Sequence, residues 1–169
     1  VIAMVHLGAL PGSPLYDHNQ GLEGLQKAAL ADLNALQAAG VDAIMFGNEN
    51  DRPYELAVDT ASTATAAYII GSLKSEIKVP FGVNMLWDPI ASIALGAATG
   101  AQFVREIFTG SYASDMGSWT ADAGAAMRYR DRLGLERGPF FYCNQWAGCF
   151  ADVRVLGVGL LRGDSRSGL

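Results

Sequence analysis

Short apolar runs alternate along the chain with longer stretches of helical period. Val1–Leu7, Val41–Phe46, Val79–Val83 and Phe103–Val104 are rich in β-branched or aromatic residues, and each runs into polar or charged side chains. His6 stands near the end of the first run. Gly47, Asn48 and Glu49 follow the second, Asn84 the third, and Arg105 with Glu106 the fourth. Between the runs, Leu22, Leu25, Ala29, Leu33 and Leu36 hold one face of a helix expected over Leu22–Ala39, which Gly40 stops. A second helix is expected over Ala57–Ile77, with Ile69, Ile70, Leu73 and Ile77 inward. Asp88-Pro89 reads as an N-cap followed by a first-turn proline, opening a helix that Gly100 closes. Its expected inner face is Ile90, Ile93, Ala94 and Ala97. The strands are expected over 1–7, 41–46, 79–85 and 101–107. A polar loop over Phe108–Ser118 and a fourth helix over Trp119–Leu133 complete the regular part.

After Gly134 the pattern decays. Phe140–Asn144 reads as a fifth strand, Val153–Leu160 is broken by Gly157 and Gly159, and Arg162–Leu169 reads as a polar tail. The expected division is a regular α/β unit over 1–137 and an irregular tail over 138–169. Strand–helix repetition with polar residues at strand ends is the layout of a parallel α/β protein, whose helices cover the sheet while the carboxyl ends of the strands gather side chains.

Composition sharpens this picture. Hydrophobic residues make up 50% of the 169 residues and charged residues 17%, an apolar excess that a sheet covered by helices explains. The net charge of −5, with no basic run, argues against a nucleic-acid partner. Pro89–Val104 is the nearest approach to a membrane span, and Ser92, Thr99 and Gln102 interrupt it. Cys143 and Cys149 form neither CxxC nor a zinc pattern and read as free thiols of a reducing, cytoplasmic compartment. The chain opens at Val1, already inside a strand, so further sequence is expected before it.

The candidate chemistry lies at the strand ends. His6 is a candidate general base, since imidazole titrates near neutrality, and equally a hydrogen-bonded core residue. Glu49 or Asp51, in the loop Asn48-Glu49-Asn50-Asp51, suits acid/base work or a hard cation, and the same loop also reads as a solvated turn. No second His or Cys stands nearby at metal spacing, so no metal is assigned, and no cofactor is. Asn84 can orient a substrate through donor and acceptor together. Alternation places Arg105 and Glu106 on opposite faces of their strand, and an inward Arg105 suits a carboxylate or phosphate or an ion pair with a neighbouring acid. Asp115, in the loop Gly110–Gly117, is a further candidate above the same face. The Gly8–Pro14 loop matches neither GxGxxG nor GxxxxGK[ST] and reads as a stiff connection.

Taken together, Met4-Val5-His6-Leu7 with Leu10-Pro11-Gly12-Ser13-Pro14, Gly40-Val41-Asp42-Ala43-Ile44, Gly82-Val83-Asn84, Phe103-Val104-Arg105, Asp115-Met116-Gly117 and Arg128-Tyr129-Arg130 resemble the BtpA/SgcQ family. The resemblance covers Val1 to about Leu135 and rests on order and spacing together. It implies a TIM barrel of the ribulose-phosphate-binding type. It favours His6, Glu49 and Asp115 as catalytic residues and Asn48, Asn84 and Arg105 as substrate-binding residues. The family name comes from a factor needed to accumulate photosystem I, while other relatives lie beside sugar-metabolism genes. Trp87-Asp88-Pro89 departs from the more usual basic-polar sequence after the third strand.

A whole barrel needs eight βα units, and this chain offers four and a candidate fifth strand, so the expected fold is a partial (β/α)8 barrel. The alternative is a five-stranded doubly wound sheet. A frameshift or a fragment of a longer gene would explain the tail. Three functions compete: an enzyme acting on a small anionic metabolite at the carboxyl face, a photosystem or membrane-complex biogenesis factor working through protein contacts, and an inactive barrel fragment. The second is compatible with peripheral membrane association. A homo-oligomer is expected, because an open parallel sheet exposes its edges.

Overall fold

A computed structural model describes residues 1–135 of the chain. Four strands, β1 (Ile2–His6), β2 (Ala43–Gly47), β3 (Phe81–Asn84) and β4 (Phe103–Val104), form one parallel sheet in sequential order. Three helices connect them: α1 (Gly21–Ala38), α2 (Thr60–Ser72) and α3 (Pro89–Thr99). After β4 come an antiparallel hairpin, β5 (Ser111–Ser114) and β6 (Gly117–Thr120), and then α4 (Ala123–Arg132). The consecutive parallel order, each strand beside the next, is that of part of an α/β barrel. The expected fifth strand and the tail over 138–169 lie outside the described residues.

The two sheet faces bury different sets. Val5, Ile44, Phe46, Phe81, Val83 and Val104 face the helices and join Leu33, Ile69, Ile70 and Ile93 in the main core. The alternate residues of the same strands form a small cluster of Met4, Ala43, Met45 and Phe103. That second face is the one a closed barrel turns inward. Gly82 makes room on it: a Cβ there would collide with the Phe103 ring.

Several boundaries differ from those expected. α2 is shorter at both ends. Asp59 accepts hydrogen bonds from the Ala61 and Ser62 amides and so fixes the start at Thr60, and Ser72 Oγ turns back onto the Ile69 carbonyl at the end. α3 agrees closely, with Asp88 accepting from Ile90 and Ala91 and Gly100 closing the helix at φ 70°. Its buried set shares only Ile93 with the expected face: Ile90 is exposed and Ala94 and Ala97 are half-buried, while Ala91, Ser92, Leu95, Gly96 and Thr99 are buried because the helix packs against the sheet, α2 and α4. β4 is a short stub. Past Val104 the ladder gives way to side-chain bonds, as Asn84 Nδ2 donates to the Arg105 carbonyl. The expected polar loop over 108–118 contains the hairpin instead, and α4 starts later because Trp119 belongs to β6, leaving Asp122 to cap the helix through the Ala125 amide.

Candidate functional site

The register of the sheet lines up one residue per strand at its carboxyl end. His6 pairs with Gly47, and Gly47 pairs with Asn84. Val83 pairs with Val104, so Arg105 continues the row beside Asn84. These residues belong to the inward face, in phase with Met4, Met45, Gly82 and Phe103 two positions earlier. Alternation alone put Arg105 and Glu106 on opposite faces, and the structure places Arg105 in the row and Glu106 behind it, buried.

Gly47 leaves a gap in this row, and Glu49 fills it. The Glu49 carboxylate folds back over Gly47, with Oε1 3.7 Å from His6 Nε2 and 3.9 Å from Arg105 Nη2. Both contacts are longer than hydrogen bonds, and the one to Arg105 acts through charge. Glu49 Oε2 is buried and accepts no hydrogen bond among the described residues. Asn84 is buried and oriented at both ends: Nδ2 donates to Glu106 Oε1 at 2.9 Å, and Oδ1 accepts from Arg105 Nη2 at 3.3 Å. The site thus holds an imidazole, a carboxylate, an amide and a guanidinium within one cross-strand line.

Glu106 anchors the line from behind. Its two oxygens accept from Asn84 Nδ2, from the Trp87 amide at 2.8 Å and from the Ile107 amide at 2.6 Å. Burial pushes its carboxyl above the usual range, and those donors with the nearby Arg105 charge pull against that shift without cancelling it. The amide of Trp87 reaches Glu106 from a backbone at φ 72°, a left-handed conformation uncommon for a bulky residue. The Trp87 ring meets Trp119 edge-on at 5.7 Å, and Trp119 stacks on Tyr112 at 4.9 Å. This aromatic wall escaped the sequence reading. The period-two placement of Tyr112 and Trp119 between small polar residues was the available signal.

Not every candidate joins the row. Asn48 follows Gly47 and therefore turns to the other side of β2, where its Oδ1 accepts from the Leu86 amide at 2.7 Å. Asp51 also turns away and accepts from the Leu10 amide at 3.0 Å. Asp115 lies exposed in the turn of the β5–β6 hairpin, apart from His6, Glu49 and Arg105. Among the described residues no group of three or more His, Cys, Asp and Glu side chains is arranged to hold a metal ion. No helix of the described residues is long and apolar enough to cross a membrane.

The consecutive parallel strand order defines a TIM-barrel protein, and the polar row stands at the carboxyl ends of its strands. Dihydropteroate synthase from Xanthomonas albilineans superimposes with a TM-score of 0.52 at 18% identity, over 82% of this chain and 41% of that one, a likeness of fold. The chain belongs to the BtpA family, whose model matches residues 1–162. It is 54% identical over 134 residues to the putative sgc region protein SgcQ of Escherichia coli K12, covering 79% of this chain and 50% of that protein. It is 33% identical over 139 residues to the photosystem I biogenesis protein BtpA of Synechocystis, covering 80% and 48%. The chain spans about half the length of these curated relatives.

Proposed function

We propose that the strand-end row is the acid/base and substrate-orienting half of an active site that acts on a small anionic metabolite. One observation carries this reading. Among the described residues Glu49 Oε2 is a buried carboxylate oxygen with no hydrogen-bond donor, while the other oxygen of the same carboxylate, Oε1, lies near the His6 imidazole and the Arg105 guanidinium. Leaving a buried acceptor open costs about 1–3 kcal/mol unless a ligand supplies the donor. A substrate hydroxyl or an acidic C–H placed there meets a general base, with His6 beside it to share the proton. Arg105 then faces the substrate's anionic group and Asn84 fixes the Arg105 side chain. Asn48 and Asp115 stand outside this row and take no part in the reading.

The test uses a full-length member of the family carrying these residues, screened against phosphorylated and carboxylated sugars for turnover. Substitutions matching His6→Ala, Glu49→Gln and Arg105→Ala are expected to abolish turnover while leaving the melting temperature nearly unchanged. Full turnover in all three variants would overturn the reading.

Similarity to the Synechocystis biogenesis protein favours a second reading, in which the barrel works by binding a protein partner. It predicts a stable complex that survives all three substitutions. A pull-down at physiological salt with the triple variant as bait separates the two readings.

A further inference from the structure

Between the loop that follows β1 and the loop that joins β2 to α2 lies a cavity of about 190 Å³, room for roughly six water-sized groups. Two of its lining side chains, Asn48 and Asp51, are more than nine-tenths buried. Each uses one polar atom to hold backbone: Asn48 Oδ1 accepts from Leu86 and Asp51 Oδ1 accepts from Leu10. Their other polar atoms, Asn48 Nδ2 and Asp51 Oδ2, make no hydrogen bond within the described residues. The lining thus offers one donor and one acceptor that no other described residue uses.

The rim adds charge of one sign. Glu55 and Asp59 line the cavity, and no Lys, Arg or His does. Asp59 is tied to the α2 amino end through the Ala61 and Ser62 amides, which keeps it ionised. The two serine hydroxyls of the lining are already spent, Ser13 on the Arg52 carbonyl and Ser62 on the Pro11 carbonyl. The carboxylates here do not form a metal-binding group.

We infer that this cavity binds a small organic ammonium bearing a neighbouring hydroxyl, the ammonium on Asp51 within the field of Glu55 and Asp59 and the hydroxyl accepting from Asn48 Nδ2. An anion is excluded by the three carboxylates, and a neutral diol gains nothing from them. The site is separate from the strand-end row, but it shares a loop with Glu49. Its occupant braces the segment that carries the row's carboxylate.

The probe is ethanolammonium chloride, titrated into the isotope-labelled chain while the Asn48 side-chain amide and the Leu10 backbone amide are followed by NMR. A saturable one-site shift of both is expected. Glu55→Gln, a rim change at an exposed residue, is expected to weaken binding about tenfold at an unchanged melting temperature. Asp51→Asn is expected to abolish it, and Glu55→Gln alone decides if Asp51→Asn fails to fold. No saturable shift, an equal response to ethylene glycol, the same shifts with magnesium chloride, or undiminished affinity in Glu55→Gln each overturns the assignment.

Discussion

The Glu49 carboxylate occupies the space that a side chain at Gly47 would take: a Cβ on Gly47 would stand 2.6 Å from Glu49 Oε2. The smallest residue in the strand-end row is therefore what admits its acid. Gly47 is buried and pairs with His6 on one side and Asn84 on the other, so a displaced carboxylate has no equivalent seat.

Gly47→Ala tests this relationship directly. The added methyl is expected to push Glu49 out of the line, so that the His6 ring resonances move to where Glu49→Gln puts them. Global stability should change by only about 1 kcal/mol, since no buried apolar contact is lost. His6 shifts that stay at the wild-type values in Gly47→Ala would show that the carboxylate holds its place by other means.

Gly82 performs a different service one layer below. Its missing side chain seats the Phe103 ring on the inward face, and Gly82→Ala forces that ring away. A destabilisation of about 1–3 kcal/mol is expected, read as a lower urea midpoint with an unchanged slope.

Asp88 ties two segments together. Oδ1 caps α3 through Ile90 and Ala91, and Oδ2 accepts from the Val58 amide at 2.8 Å, at the threshold of α2. Asp88→Ala is expected to cost about 1–2 kcal/mol in urea denaturation. Asp88→Asn should recover part of that loss, because its single oxygen serves only one of the two sets of amides.

Glu106 makes stability depend on pH. Its folded carboxyl titrates above the ordinary value of 4.5, so the native chain keeps that proton where the unfolded chain has lost it. Through that interval the folded state binds more protons, and stability falls as pH rises, levelling off above the raised native value. Asp59 is shifted the other way, so its contribution is lost as pH falls below its ordinary value of 3.8, outside the Glu106 window. Urea midpoints collected from acidic to neutral pH should show the Glu106 decline in the wild type and none in Glu106→Gln. Parallel curves for the two would assign the decline to another group.

Much of the fold is legible along the chain because periodicity records which side of each element is buried. The short apolar runs Val41–Phe46 and Val79–Val83, buried along the whole of β2 and β3, the Asp88-Pro89 opening and the Gly100 stop mark strands and α3 locally. The hairpin over 111–120 is harder to see. Its strands are mostly exposed and polar, so the apolar signal that marks a strand is weak, and what holds it is cross-strand pairing such as Tyr112 with Trp119.

The sequence by itself determined the order of the four parallel strands and the helices, the Asp88 cap and the Gly100 stop, and the placing of His6, Glu49, Asn84 and Arg105 at strand ends. These follow from local chemistry: side-chain period, capping oxygens and the backbone freedom of glycine. Only the tertiary structure decided which of the polar residues share a face. Asn48 and Glu49 are neighbours in the chain, yet one turns behind β2 and the other returns over Gly47 into the row. That choice depends on register between strands some forty positions apart, on the room left by one absent side chain, and on the charge of Arg105 opposite the carboxylate. None of these is a property of neighbouring residues, because register and charge pairing exist only once distant strands lie side by side.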